Sequence, residues 1–277
     1  MSPIVSDINV ILRQHGISSA ISLEDITITS KTITDMVLEG KLSNLLINHV
    51  WPSIPEETVY HYTSKVAAES IANSGAFRFY SLMKRASESE VESFCRVHAL
   101  DGYLDASNRV PKYKTDILPN TFFASFTSTG ISNSEERYFW NTFAHSDGAR
   151  LKLKITAKNP DFRALVYGES APKPIPVLTE LTKEVLTKYK RHFILAGISR
   201  LCAFYLPSVY AREKERRALY RHWPGVGLQP KNDGLYDFIE LPLGATTKAG
   251  YQLDLLEIQS DENLNVPDSK IVVKRNP

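Results

Sequence analysis

Val59-Tyr60-His61-Tyr62-Thr63-Ser64 is where the fold can be read, because an apolar, β-prone run turns there into the start of a helix. Thr58 to Tyr62 reads as a strand. Ser64 is the N-cap of a helix that ends near Ser74-Gly75, with glycine as the favoured left-handed stop. Phe77 to Leu82 reads as the next strand.

Toward the N-terminus, Trp51-Pro52-Ser53-Ile54-Pro55 is a boundary, since each proline stops a helix and biases the residue before it to extended backbone. Residues 1–55 are expected to form an N-terminal helical extension. Ile4, Ile8, Ile11 and Leu12 recur at helical spacing, and Met36, Leu38, Leu42, Leu45, Leu46 and Ile47 make a second apolar stripe. Residues 56–277 are expected to form the main domain. Lys84 to Pro119 is polar, carries one helix around Glu88 to Leu100 and has the length of an insertion. Thr121 to Thr127 is a strand. Ser134 opens an amphipathic helix with Tyr138, Phe139, Trp140 and Phe143 on its aromatic face, which Gly148 ends, and Ala149 to Ile155 alternates as a half-buried strand. Phe162 to Tyr167 is a further strand and Thr179 to about Ile198 one long helix. Arg216 to Trp223, Leu235 to Leu241 and Tyr251 to Ile258 are later strands. Strands with helices gathered between them predict an α+β fold.

A second string, Glu213-Lys214-Glu215-Arg216-Arg217, sets two carboxylates at a spacing of two, hence on one face of an extended strand. Its structural alternative is a solvated, self-compensating charge run. Four other segments stand between the two strings: Gly75-Ala76-Phe77-Arg78-Phe79-Tyr80, Ser125-Phe126-Thr127, Trp140 and Gly148. In order and spacing over residues 58–260 the set resembles a bacterial family known as a domain of unknown function. That family is related to the ADP-ribosyltransferases, including toxins that modify nucleic acid. One departure is visible: the Asn-Asp pair expected after the second strand is absent from Ser81-Leu82-Met83-Lys84.

The resemblance implies an ADP-ribosyltransferase-like split mixed β-sheet core, NAD as substrate and no metal. Such a reaction builds positive charge on the ribose and calls for a carboxylate beside it. Glu215 is the first choice for that carboxylate. Glu213 would bind or activate the acceptor, although the pattern leaves open which glutamate has which role. Arg217 would hold a carboxylate or phosphate bidentately, or act as a strut. His61 would bond a ribose hydroxyl, or else is a packed strand residue. Tyr62 and Thr63 belong to the same cofactor-binding set. Tyr80 is the candidate nicotinamide wall, with a core aromatic as its alternative. Arg78 would meet a pyrophosphate, Ser125 would line the pocket, and Trp140 would pack beneath the site. No Gly-x-Gly-x-x-Gly, Walker or Gly-x-Ser-x-Gly string occurs, which disfavours Rossmann dehydrogenases, P-loop NTPases and elbow hydrolases.

With 277 residues, 43% of them apolar, the chain can bury a sizeable core. Cys95 and Cys202 stand far apart without metal-like partners and read as ordinary thiols. No apolar run approaches a membrane span and no signal-type start is present, so the expectation is a cytoplasmic protein without a membrane partner. The 33 basic and 31 acidic residues nearly cancel, yet Lys183 to Lys231 holds 11 Lys/Arg against 3 Glu. Lys188, Lys190, Arg191, Arg212, Arg216, Arg217 and Arg221, with Tyr189, Tyr210, Tyr220 and Trp223 among them, suggest a nucleic-acid acceptor, RNA or single-stranded DNA. A solvated basic face is the alternative. A protein side chain as acceptor and a non-catalytic binding module also stay open. If the resemblance to toxins holds, a bacterial toxin–antitoxin or phage-defence setting with a neutralising antitoxin or chaperone follows.

Overall fold

Alternating apolar residues build the largest element of the computed structural model, a ten-stranded sheet dominated by antiparallel pairs. The structure describes residues 2–35, 40–88, 90–104, 113–145, 147–167, 175–206, 208–261, 263–267 and 272–274. Met36 and Leu38 of the second apolar stripe, and residues 105–112 of the polar stretch, lie outside them. The fold is α+β. Contacts divide the chain into two units that no single boundary separates: 1–52, 82–121 and 165–210 form one, and 53–81, 122–164 and 211–277 the other. One change of unit falls between Pro52 and Ser53, and residues 1–52 pack with 82–121 and 165–210.

The sheet unit begins with β1 (Glu56–Thr63), α1 (Lys65–Ser74) and β2 (Ala76–Ser81). Ser64 caps α1 by accepting from the Ala67 N–H at 3.3 Å, and Gly75 ends it at φ 62°. Next come β3 (Thr121–Ser128), α2 (Asn133–Phe143), β4 (Ala149–Ala157) and β5 (Phe162–Ala164). The last strands are β6 (Glu215–Arg221), β7 (Lys231–Asn232), β8 (Asp237–Pro242), β9 (Tyr251–Ser260) and β10 (Val272–Lys274). The main path runs β7-β8-β2-β3-β1-β4-β9-β10, and β6 pairs with β3 and β5.

One irregularity in this sheet positions the candidate site. β1 stays with β4 from Glu56 to Thr63 but pairs with β3 only at Val59↔Ser128 and Tyr60↔Thr127. Beyond Tyr60, β1 and β3 part. One face of the sheet buries Val59, Phe77, Phe79, Phe122, Phe126, Leu151 and Leu153 with Ala68 and Ala72 of α1. On the other face, Tyr62 stacks on Phe139 at 5.2 Å and meets Trp140 edge-on at 5.5 Å, which docks α2. Gly148 is required behind that helix, because a Cβ there would stand 2.2 Å from the Thr63 carbonyl oxygen.

In the other unit, helices Pro3–Gln14, Lys41–Val50, Glu90–Val97, Pro176–Tyr189 and Ile198–Ala203 accompany a small sheet. There Ile26–Ile28 pairs antiparallel with Thr32–Asp35, which pairs parallel with His192–Ile194. This corrects the single long helix expected from Thr179 to Ile198. Lys190 adopts a left-handed cap at φ 55°, and the apolar His192-Phe193-Ile194 run finds a strand partner in Thr32-Ile33-Thr34. Tertiary pairing overrides the helical periodicity. Among the described residues no helix is long and apolar enough to cross a membrane.

Candidate functional site

On β3, Phe122, Ala124 and Phe126 belong to the core, as do Ala218 and Tyr220 on β6. Period-two alternation therefore sends Phe123 and Ser125 of β3, and Glu215 and Arg217 of β6, to the opposite face. These four side chains form one cluster. The Ser125 hydroxyl donates to Glu215 Oε1. Arg217 donates from Nε to Glu215 Oε1 at 2.8 Å and from Nη2 to Oε2 at 3.2 Å, a bidentate grip. Its guanidinium carbon also lies 4.8 Å from the centre of the Phe123 ring. Glu215 is 3% exposed and Arg217 0%. Burial of this depth is tolerated for charges because each is answered by the other and by hydrogen bonds.

His61 lies where β1 and β3 part. Its Nδ1 is 3.0 Å from the Ser125 carbonyl oxygen, which can only accept, so Nδ1 carries a proton in this contact. Phe77 and Phe126 meet the imidazole edge-on at 5.0 and 5.9 Å and hold its plane. Ser125 thus links His61, which packs with Phe77 and Phe126 on the core face, to Glu215 and Arg217 on the opposite face. The link runs through its carbonyl on one side and its hydroxyl on the other.

Glu213 is placed differently from its expected position on a strand shared with Glu215. It ends a 3-10 turn, Ser208–Glu213, and the strand starts only at Glu215. Lys214 between them takes φ 44°, a left-handed value uncommon for lysine, and this reversal breaks the period-two relation. Tyr62 is likewise spent: its ring packs on α2, and burial pushes its hydroxyl up to about 12. Thr63 continues the ladder opposite Ala149.

Arg78 and Tyr80 form a second cluster, toward β8. Tyr80 meets the Phe238 ring at 5.8 Å, while Arg78 lies 4.2 Å over that ring and bonds Glu240 at 3.2 Å. The hydrogen bonds Arg78 makes to Tyr80 and Glu240 raise its pKa. This arrangement matches the packing alternative for Tyr80. Trp140 packs against Tyr62, as expected of it, and its indole N–H reaches Glu136 Oε1 at 3.4 Å.

One member of the centre escaped the sequence reading. Arg163 on β5 stands directly opposite Arg217 in the β5–β6 register, is fully buried, and lies 3.4 Å from Asp161. The signal was present, because Asp161-x-Arg163 repeats the acid-x-Arg spacing of Glu215-x-Arg217. The expected basic strip is less continuous than its sequence. Lys183 to Arg191 belongs to one unit and Arg212 to Arg221 to the other. Lys188 pairs with Asp7, Arg216 with Glu57 and Arg217 with Glu215, while Tyr220 is buried. Arg221 lies 4.2 Å over the half-exposed Trp223 ring. Among the described residues no group of three or more His, Cys, Asp or Glu side chains is placed to hold a metal ion. Comparison with protein-family models, with curated proteins and with solved structures finds no match to this chain.

Proposed function

We propose that this chain is an ADP-ribosyltransferase that uses NAD, with Glu215 as the carboxylate beside the ribose. The observation that carries this reading is the convergence of Ser125 and Arg217 on Glu215, with His61 tied to Ser125 where β1 leaves β3. In the reaction the C1′–N bond breaks and neutral nicotinamide leaves with the bonding electron pair. A nucleophilic oxygen or nitrogen of the acceptor closes on C1′, and its proton passes to Glu213. A carboxylate held in a fixed direction offsets positive charge on the sugar without reorganising during the step. His61 would bond a ribose hydroxyl, the role the sequence resemblance implies for it. The acceptor proposed is RNA or single-stranded DNA, on the strength of Arg221, Trp223 and the toxin resemblance; the setting would be bacterial defence.

The test follows labelled NAD with RNA, single-stranded DNA and cell protein offered separately. The wild-type chain is expected to release nicotinamide and label one of the nucleic acids. Glu215→Gln should abolish both products, but it also strips the counter-charge from buried Arg217. The informative companion is therefore Glu215→Gln with Arg217→Met, which replaces the ion pair by neutral groups and is expected to fold but not to react. Full activity in that double variant would sink the assignment, and label on protein alone would move the acceptor. A second reading, a binding module without turnover, is favoured by one observation: both Glu215 oxygens are already engaged in a site 3% exposed. Retained NAD binding without nicotinamide release would establish it.

A further inference from the structure

The residues leading into Glu215 are held by one helix. Lys214 Nζ lies 2.7 Å from Glu135 Oε1, and the Arg212 guanidinium carbon lies 4.9 Å from the Tyr138 ring centre. The Glu135 carboxylate is fixed in turn. Its Oε2 accepts from Ser132 N at 2.7 Å and from Ser132 Oγ at 2.8 Å, the capping box of α2. Lys214 first, and the Ser132 bonds after it, hold this carboxyl down to about 2. The same helix presents Phe139 and Trp140 to Tyr62. Within two turns, α2 thus touches both strings from which the candidate site was read.

The Arg212–Lys214 turn has reason to need this support. Lys214 carries a left-handed φ that a lysine does not favour, and such conformations persist when surrounding contacts over-determine them. Just past Glu215, Arg216 is fixed by Glu57 at 2.9 Å. Glu215 is then held from within by Arg217 and Ser125. Glu213 directly precedes Lys214, so the turn also sets the course of its backbone.

We propose that Glu135 is a positioning residue: with Tyr138 it holds the Arg212–Lys214 turn, sets where Glu213 stands relative to Glu215, and so governs how much ADP-ribose passes to an acceptor rather than to water. This rests on the transferase reading above and adds to it a determinant outside both sequence strings. Glu135→Gln is the discriminating substitution, since glutamine serves equally at this position of a capping box but carries no charge for Lys214.

The experiment measures labelled acceptor and released nicotinamide together, for the wild type, Glu135→Gln, Lys214→Met and the double variant. The ratio of label to nicotinamide is expected to fall about two- to fivefold in each single variant, the range an exposed ion pair corresponds to, with no further fall in the double. In a Glu213→Gln background, Glu135→Gln is expected to leave the ratio where it is. Partial unfolding lowers both products alike, so an unchanged ratio in Glu135→Gln and Lys214→Met overturns the positioning role. A wild-type chain that releases no nicotinamide overturns the transferase reading instead, and this inference with it.

Discussion

In one unit His98 is buried and bonded to backbone atoms, while in the other Glu215 and Arg217 are buried as partners. His98 is 0% exposed at the end of the Glu90–Val97 helix. Its Nδ1 donates to the Phe94 carbonyl at 2.8 Å, and its Nε2 accepts from the Ile175 N–H at 2.7 Å. Both ring nitrogens are thus satisfied in the neutral form only, and burial drives the pKa from 6.5 down to about 4. Glu215 and Arg217 instead face each other as an ion pair. A neutral group satisfied by backbone atoms serves as a structural bolt. A charge held in low dielectric by a bidentate partner and a hydroxyl retains a strong local field, which is what chemistry on NAD would use.

The largest effect expected from this contrast is at the ion pair. Arg217→Met strips the bidentate partner from buried Glu215 and should cost about 3–5 kcal/mol of stability in denaturant unfolding. Replacing both charges, as in Glu215→Gln with Arg217→Met, should recover most of that loss. If Arg217→Met unfolds at the wild-type denaturant concentration, the pair is not the anchor described here.

At His98 the expected effect is slightly smaller and depends on pH. The folded-state pKa lies below the unfolded one, so the unfolded chain binds the extra proton between them. The stability that neutral His98 supports is fully present above about pH 6.5 and is lost as pH falls toward 4, by about 3 kcal/mol in all at 1.36 kcal/mol per pKa unit. Unfolding free energies measured from pH 7 to pH 4 on the wild type and on His98→Gln test this. The wild type should lose stability over that window, and the variant should lose less. Parallel curves would mean that His98 is not the group that titrates.

How far the sequence foretold these two centres follows from where their partners lie. Strand–helix–strand from Thr58 to Ser81 was legible because cap, stop and alternation are all local, and Ser64 and Gly75 do what their types predict. Glu215 and Arg217 were legible as a pair because acid-x-Arg on a strand puts both on one face. The neighbouring Glu213 was misplaced by the same logic, because a left-handed Lys214 cannot be seen in a spacing rule. His98 was passed over, since its partners Phe94 and Ile175 are backbone groups, one of them 77 residues away. The false long helix after Thr179 has a similar origin, a strand partner in Thr32–Asp35 that no local pattern announces.

Ser125→Ala comes next in size and sharpens the contrast, because it removes a neutral donor from the charged centre. The remaining bidentate bond should limit the loss to about 1.5–3 kcal/mol, the value of a hydrogen bond to a charged group. The same substitution should lower nicotinamide release more than it lowers stability, if the hydroxyl directs the carboxylate as well as anchoring it.

The smallest effect is expected at the second cluster, and it decides whether that cluster belongs to the site at all. Arg78 has a side chain 41% exposed, and its partner Glu240 also bonds Lys231. Arg78→Ala should therefore change stability by no more than about 1 kcal/mol, as exposed ion pairs do. On function the two clusters make opposite predictions. If NAD reaches from the Glu215 centre across to β2, as the sequence resemblance implies, Arg78→Ala raises the KM for NAD and leaves kcat close to wild type, because a pyrophosphate contact binds ground and transition states alike. If Arg78 and Tyr80 only brace β2 against β8, both constants stay put. The structure favours the second outcome: Arg78 already has a ring beneath it and a carboxylate beside it, and Tyr80 faces Phe238. An unchanged KM would leave Arg78 and Tyr80 outside the cofactor's protein contacts.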